Sequence, residues 1–193
     1  MTGKRGRPRS AETQQSILTN AYELLLEEGF AAVTVEKIAE RAGVSKATIY
    51  KWWPNKAFVV MDGFLSAASA RLPVPDTGRL MQDVRLHAAR VASFMTSPDG
   101  KIITDLIGEG QFDSGLAEAY RSRYFAPRRL EARQLLERGR SRGELRPDAD
   151  IDLAIDLIYG PIFYNLLIFG AQPDDAYVER LVKAAFEGLL AEP

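Results

Sequence analysis

The segment from Thr34 to Lys56, TVEKIAERAGVSKATIYKWWPNK, decides the fold of this chain. Thr34 can N-cap a helix, because its hydroxyl can accept one of the backbone N–H groups that a first turn leaves unpaired. Apolar side chains then recur with the spacing of a single helical face. Gly43 follows the last of them, and glycine adopts a left-handed C-cap conformation without the steric cost of a Cβ atom. The pattern predicts a short helix from Val35 to Ala42.

A second helix follows in the same segment. Ser45 is its N-cap candidate, and the helix is predicted to extend from Lys46 to Trp53, where Pro54 ends it. Ile49 and Trp53 are four residues apart and share one face, which we expect to pack on the first helix. Two short helices joined by a glycine turn form a helix-turn-helix, which places its second helix in the major groove of DNA.

The exposed face of the second helix carries the chemistry that DNA binding needs. Ala47 is small enough to let the backbone approach the bases, and Thr48, Tyr50 and Lys51 offer hydroxyl or ammonium donors. No acidic residue interrupts this helix. A helical hairpin with a purely structural role is the alternative, but the basic and hydroxylated face favours DNA binding.

Three further side chains are candidates for phosphate contacts. Lys46 begins the second helix, and the indole N–H of Trp52 is a donor near its end. Lys56 lies at the start of the next helix, and a helix N-terminus with a lysine attracts anions.

The segment resembles the DNA-binding domain of the TetR family of transcriptional regulators. The residues that carry the resemblance are Thr34-Val35, Ile38-Ala39, Ala42-Gly43-Val44-Ser45, Thr48-Ile49-Tyr50, Trp53-Pro54 and Lys56, with Glu28-Gly29-Phe30 at the end of the preceding helix. The resemblance covers residues 10 to 60 and implies an all-α fold of nine or ten helices, a homodimer and a C-terminal ligand-binding domain. It also implies DNA contacts at Thr34, Lys46, Thr48, Tyr50, Lys51, Trp52 and Lys56. Trp52 stands where histidine is usual, which weakens the inference of a contact there.

Composition excludes several other classes of protein. The chain has 193 residues, 46% of them hydrophobic, which is enough for a sizeable core. It has no cysteine and a single histidine, so it carries no disulfide framework, thiol nucleophile or histidine-rich metal site. We find no phosphate-binding loop or hydrolase motif, and we predict neither enzymatic activity nor a cofactor. No apolar run reaches membrane-spanning length on this interpretation, so a cytoplasmic location is the default.

The basic charge concentrates at the N-terminal end. Residues 1–60 hold nine basic and six acidic side chains, a net charge of +3 that leaves −4 for the rest of a chain whose total is −1. Residues 1–9, MTGKRGRPR, hold four of these basic residues with glycine and proline. We predict a disordered basic arm that follows phosphates or enters a minor groove, and the alternative is a solvated tail.

The organisation predicted beyond the arm is a helix-turn-helix domain at residues 10–56 and a ligand-binding and dimerisation domain at residues 57–193. Residues 151–169 are apolar nearly all round, and a last helix follows at residues 174–190. Both helices either fill the core of a monomer or form the four-helix interface of a dimer. A dimer is favoured because one short helix reads too few bases, whereas a two-fold dimer reads two half-sites of a palindromic operator in double-stranded DNA.

The signal that controls DNA binding is predicted to be a small apolar molecule. Candidate residues for its site are the aromatic and imidazole side chains of the middle helices, although ordinary core packing explains each of them as well: His87, Phe94, Phe112, Tyr120, Tyr124, Tyr159 and Phe163. The function predicted is a sequence-specific transcriptional regulator, a repressor released by this ligand. The alternative is a helical protein-interaction adaptor that does not bind DNA.

Overall fold

A computed structural model describes residues 7–67 and 74–187, with side chains from residue 10 onward. The described residues form ten α-helices: α1 (Arg7–Glu28), α2 (Val35–Ala42), α3 (Lys46–Tyr50), α4 (Lys56–Ala67), α5 (Leu80–Met95), α6 (Pro98–Glu109), α7 (Ser114–Tyr120), α8 (Ala126–Ser141), α9 (Ile151–Phe169) and α10 (Asp175–Phe186). A 3₁₀ turn (Phe30–Ala32) precedes α2, and a π-helical turn (Arg121–Phe125) follows α7. The all-α fold class predicted from the sequence is confirmed.

The described residues divide into two compact units. The first unit contains residues 7–67 and 105–125, and the second contains residues 74–104 and 126–187. This division differs from the linear one predicted from the sequence, which placed residues 57–67 and 105–125 in the second domain. Helix α4 belongs to the first unit because it packs along α1 and against α7.

Close packing of α1 on α4 supports the helix-turn-helix. Gly63 of α4 makes the approach possible, since a Cβ atom there would lie 2.7 Å from the carbonyl oxygen of Leu18. Ile17 and Phe64 are fully buried in this unit, and the Phe64 ring lies 6.4 Å from the Tyr22 ring, centroid to centroid. Large buried side chains of this kind stabilise the packing of the helices, because replacing one with alanine costs about 2–5 kcal/mol of stability.

Helices α5, α8, α9 and α10 share one apolar core in the second unit. Leu80 and Ile158 are fully buried there. The N-terminus of α5 is capped by a residue 64 positions later in the chain, because Glu144 accepts a hydrogen bond from the Leu80 backbone nitrogen at 2.6 Å. This carboxylate satisfies one of the N–H groups that the first turn of α5 leaves unpaired.

Two helix starts differ from the sequence prediction. Helix α1 begins at Arg7, within the stretch predicted as a disordered arm, because proline is tolerated in a first turn. Residues 7–9 of the predicted arm are therefore helical, and its residues 1–6 lie outside the described residues. Helix α6 begins at Pro98, in a Ser-Pro-Asp-Gly stretch that is typical of a turn, since Ser97 Oγ accepts the Gly100 N–H at 3.2 Å and caps the helix.

The last two helices begin where the sequence placed them. Asp150 caps α9 through backbone N–H bonds of 3.0 and 3.1 Å, and Asp174 caps α10 through the Tyr177 N–H at 2.7 Å. Helix α9 spans residues 151–169 as predicted, and residues 188–190 of the predicted final helix lie outside the described residues.

Helix α9 corrects one prediction, because it is long and apolar enough to cross a membrane. The expectation that no run reaches this length was wrong. Its N-terminal part is nevertheless bound to α8 by ion pairs: Asp156 lies 2.6 Å from Arg129, and Asp152 pairs with Arg129 and Arg133. The N-terminal part of this apolar helix therefore carries charges that are paired with α8.

Candidate nucleic-acid interface

The helix-turn-helix has the local geometry that its sequence predicts. Thr34 Oγ1 accepts the Lys37 N–H at 3.2 Å and caps α2. Gly43 ends α2 with φ = 67°, and its N–H bonds carbonyls of the last turn. Ser45 Oγ accepts the Thr48 N–H at 3.2 Å and caps α3. These three residues fix the angle between the two helices.

Helix α3 divides its side chains between the core and the solvent. Ile49 is fully buried and Trp53 is 2% exposed, whereas Ala47 and Lys51 are exposed and Tyr50 is 53% exposed. Helix α3 ends at Tyr50 and is shorter than predicted. The chain then tightens, because the Trp52 N–H bonds the Ile49 carbonyl at 3.0 Å, three residues back. The outward side chains therefore lie on one short turn of helix and on the residues just after it.

Thr48 and Trp52 are less available than the sequence suggested. Thr48 is half-buried, and its hydroxyl oxygen lies 2.9 Å from Ser45 Oγ. Trp52 is also half-buried, and its ring stacks edge-on against Trp53 with centroids 5.7 Å apart. Both can reach a ligand only through one edge of the side chain.

Lys46, at the start of α3, is paired within the chain. Its ammonium lies 2.8 Å from a carboxylate oxygen of Glu36 in the first turn of α2. The hydrogen bond from this ammonium lowers the pKa of the Glu36 carboxyl and raises that of Lys46. Both side chains are exposed, so the pair lies on the solvent side of the two helices.

The basic side chains of α2, by contrast, bind α1. Lys37 pairs with Glu28 at 2.6 Å and also donates to the Ala32 carbonyl at 3.0 Å. Arg41 forms a two-bond contact with Glu27, at 2.5 and 2.7 Å. These cations hold α2 on α1, and their charges are paired with acids of the same domain.

Lys56 has a structural role that the sequence did not predict. Its ammonium donates to the carbonyls of Phe30 and Val33, each at 3.0 Å, and to that of Ala31 at 3.4 Å. It also lies 4.3 Å from the centroid of the Phe30 ring. The predicted phosphate contact of this side chain stays a prediction, and it would require the ammonium to give up bonds to the turn between α1 and α2.

The end of the helix-turn-helix is fixed to α4. The indole Nε1 of Trp53 donates to Asp62 Oδ2 at 2.8 Å, and Asp62 Oδ1 lies 3.6 Å from Arg123 of the π-helical turn. The Asn55 side chain caps α4 by accepting the N–H groups of Ala57 and Phe58 at 2.9 and 3.2 Å. Asp62 could not be singled out from sequence, because its partners follow from the fold, whereas Asn55 acts locally, within one turn of the helix that it caps.

Four of the candidate ligand residues lie in the second unit. His87 is 1% exposed, and its Nδ1 lies 2.6 Å from the Tyr159 hydroxyl. Burial, followed by the charges of Arg128 and Arg90, lowers the pKa of His87 to about 4. Burial also raises the pKa of Tyr159. Both groups are therefore neutral at pH 7, and Phe94 and Phe163, the other two members, are half-buried.

The remaining three candidates lie in the first unit and do not form one set. Tyr120 and Tyr124 are buried, and each packs edge-on against Phe125, with centroids 5.8 and 5.0 Å apart. Phe112 is 94% exposed, so its inclusion among residues lining a pocket was wrong. It follows Gly110 and lies in the short loop before α7, where no element covers it within the described residues.

A cleft of about 660 Å³ lies along α8, lined by Val74, Gln134, Glu137, Arg138, Ser141 and Arg142. It includes none of the seven candidate ligand residues. Its arginines are engaged: Arg138 pairs with Asp76 at 3.3 Å, and Arg142 pairs with Glu144 at 2.5 Å. The cleft thus lies in the second unit without matching the predicted ligand chemistry.

Comparison with known proteins matches both parts of the chain to one family. Residues 17–60 match the family model described as bacterial regulatory proteins, tetR family, and residues 74–185 match a tetracyclin repressor-like C-terminal domain. An uncharacterized HTH-type transcriptional regulator of Bacillus subtilis (strain 168), YdeS, is 61% identical over 191 residues, which cover 99% of this chain and 96% of the relative.

Two other relatives extend the comparison. The DNA-binding transcriptional repressor TetR of Mycobacteroides abscessus is 30% identical over 179 residues, 92% of each chain. The crystal structure of the TetR family transcription regulator SCO0332 superposes with a TM-score of 0.75 at 40% identity, covering 94% of this chain and all of that one.

Proposed function

The chain belongs to the TetR family of DNA-binding transcriptional regulators, and we propose that it reads its operator through α3 and the residues just after it. The observation that carries the proposal is the division of α3 between a buried face at Ile49 and an outward face at Ala47, Tyr50 and Lys51. The turn before α3 is fixed by Gly43 at the end of α2 and by Ser45 at the start of α3. Side chains that face solvent on a short helix positioned in this way can enter a major groove.

The proposed contacts depend on which donor groups of each side chain are free to bind DNA. The side chains of Lys51 and Tyr50 make no hydrogen bond or ion pair within the described residues, so their donors are available to base edges or flanking phosphates. Ala47 admits the backbone close to the bases. Thr34 and Lys46 lie at the N-termini of α2 and α3, where phosphates are favoured. Thr48 and Trp52 are proposed as partial contacts, through the hydroxyl and the indole N–H respectively.

Regulators of this family bind operators as dimers, and we propose that this chain dimerises through α9 and α10. Helix α9 exposes a continuous apolar surface of large side chains, between 41% and 67% exposed: Leu153, Leu157, Tyr164, Leu167, Ile168 and Phe169. Such a surface on one helix supports burial against a second copy, because a two-fold axis pairs a surface patch with itself. Two helices from each copy would form a four-helix bundle.

We propose that repression is relieved by a small, largely apolar molecule bound in the second unit at the His87–Tyr159 pair. We assign the donor role in this bond to the Tyr159 hydroxyl, which places the proton of the neutral imidazole on Nε2. Nε2 is buried and has no hydrogen-bond partner within the described residues. A buried donor of this kind costs about 1–3 kcal/mol unless it is satisfied, which supports a ligand with an acceptor oxygen.

The ligand would change DNA affinity only through a difference in its affinity for the two DNA-binding states of the protein. The operator is proposed to be a palindrome in double-stranded DNA, and the protein is proposed to act in the cytoplasm. No step of this mechanism needs a cofactor or a chemical reaction.

Substitution of Lys51 tests the interface. Lys51→Ala should weaken binding to the operator by about 1–3 kcal/mol if the ammonium reads a base, or weaken all duplexes alike if it holds a phosphate. The matched control is Lys101→Ala, which removes an exposed lysine from α6. Equal affinity of Lys51→Ala and the control for every duplex would remove Lys51 from the interface.

A further inference from the structure

The ion pair between Glu36 and Lys46 places a carboxylate inside the DNA-reading surface. Glu36 lies in the first turn of α2 and Lys46 is the first residue of α3, and their charged atoms are 2.8 Å apart. The side chains are 63% and 54% exposed, so solvent or DNA can reach both. Glu36 therefore places an exposed acid beside a cation proposed to hold a phosphate.

Fold stability does not explain this pair. Exposed ion pairs contribute between about 0 and 1 kcal/mol. The N-terminus of α2 stabilises the negative charge of Glu36 without any help from Lys46. The positive charge of Lys46 at the N-terminus of α3 is unfavourable, because it opposes the helix dipole. The other acids near α2 differ, because Glu28 and Glu27 bind Lys37 and Arg41 and so join α2 to α1.

The pair has a direct consequence for DNA binding. A phosphate that contacts Lys46 has to share the three donors of the ammonium with Glu36 or displace it, and in either case the carboxylate lies next to the phosphate backbone. Like charges at this distance repel, and the cost applies to any DNA sequence. Base contacts from α3 can offset the cost on an operator but not on arbitrary DNA.

We infer that Glu36 restrains DNA binding: it competes with phosphate for Lys46 and thereby weakens the sequence-independent part of the affinity. Non-specific DNA offers phosphates alone, so the same cost removes a larger share of its binding free energy than of the operator's. On the operator the base contacts hold α3 in the groove, and the exchange of Lys46 from carboxylate to phosphate proceeds.

The test compares Glu36→Gln with Glu40→Gln on two duplexes, a sequence selected from random DNA and a scrambled duplex of the same length. Glu40 is the matched control because it is an exposed acid one turn further along α2, so its removal changes the net charge equally. We expect Glu36→Gln to bind the scrambled duplex more tightly than the control does, and to raise the affinity for the selected duplex by a similar factor.

The salt dependence separates the mechanism from a general charge effect. A released Lys46 adds about one phosphate contact, so log affinity against log salt should steepen by about 0.9. The gain on the scrambled duplex should then be about threefold larger at 50 mM than at 200 mM salt, as one contact implies. The control should leave this slope close to that of the parent chain.

A double substitution closes the test. In a Lys46→Gln background, Glu36→Gln should no longer increase affinity for the scrambled duplex beyond the control, because no ammonium is left to release. The inference would be overturned by equal effects of Glu36→Gln and Glu40→Gln, by a gain that persists without Lys46, or by a loss of selected-duplex affinity alone, which would make Glu36 a base reader. Urea unfolding of each variant verifies that the fold is retained.

Discussion

The ammonium of Lys56 lies 4.3 Å from the centroid of the Phe30 ring and donates to the Phe30 carbonyl at 3.0 Å. A residue at the start of α4 thus holds the turn that carries the chain from α1 into α2. Two further carbonyls of the same turn share this ammonium. The position of α2, and of α3 after it, therefore depends on a lysine whose charge is directed into the protein.

Lys56→Met should destabilise the protein by about 1–3 kcal/mol, because the aliphatic stem is kept while the half-buried carbonyls lose a charged donor. Urea unfolding measures the change. Lys51→Met, which removes an outward ammonium, should leave the free energy of unfolding within about 0.5 kcal/mol of that of the parent chain. An unchanged midpoint together with a shallower salt dependence of DNA binding would show that Lys56 is a phosphate contact after all.

Asp62→Ala should cost about 1–3 kcal/mol, because it leaves the buried indole N–H of Trp53 without its acceptor. A double-substitution cycle with Trp53→Phe isolates this bond. The cost of Asp62→Ala should fall in the Trp53→Phe background, since no indole donor then remains. Strict additivity of the two substitutions would contradict the coupling.

Acid should destabilise the fold through His87. Its pKa is about 4 in the folded protein and 6.5 in the unfolded chain, so the unfolded chain binds the proton first as pH falls. Stability is fully present above pH 6.5 and is lost as pH falls from 6.5 towards 4, by about 2 kcal/mol between pH 7 and pH 5. His87→Phe should flatten this part of the profile, and Tyr159→Phe, which keeps the histidine, should not.

The same histidine gives a direct spectroscopic signal, because it is the one histidine of the chain. In protein labelled with ¹⁵N at histidine, the imidazole should be neutral at pH 6 with its proton on Nε2. Half-protonation at pH 6.5, or a proton on Nδ1, would contradict the donor geometry proposed for the ligand site.

Leu157→Asp should convert the dimer into a monomer, because it places a charge in the exposed apolar surface of α9, where Leu157 is 45% exposed. Leu26→Asp is the matched control, since Leu26 is 56% exposed on α1. Light scattering at micromolar concentration reads out the mass. A dimer that withstands Leu157→Asp, or one that Leu26→Asp disrupts, would place the interface elsewhere.

The sequence was sufficient wherever local chemistry decides structure. Thr34, Gly43 and Ser45 were predicted in the roles that they have, because capping depends on residues within one helical turn. Asp150 and Asp174 cap their helices through local bonds of the same kind. Ser97 was not identified as a cap, because a Ser-Pro-Asp-Gly stretch is typical of a turn as well as of a helix start.

Sequence reasoning was insufficient wherever a side chain finds a partner far along the chain. Lys56 binds carbonyls 23 to 26 residues away, and Glu36 and Lys46 meet across the turn. A count of basic residues treats these cations as free for DNA, whereas the fold engages them. Phe112 shows the converse error, since an aromatic residue predicted to line a pocket points into solvent.

The central claim is that a two-fold dimer reads DNA through α3, and selection of bound sequences from random DNA tests it most directly. We predict enrichment of a palindrome whose half-sites are about 34–36 Å apart centre to centre, or a multiple of that spacing, and loss of enrichment with Lys51→Ala. Recovery of unenriched DNA, or of a single half-site without a symmetry mate, would contradict the claim.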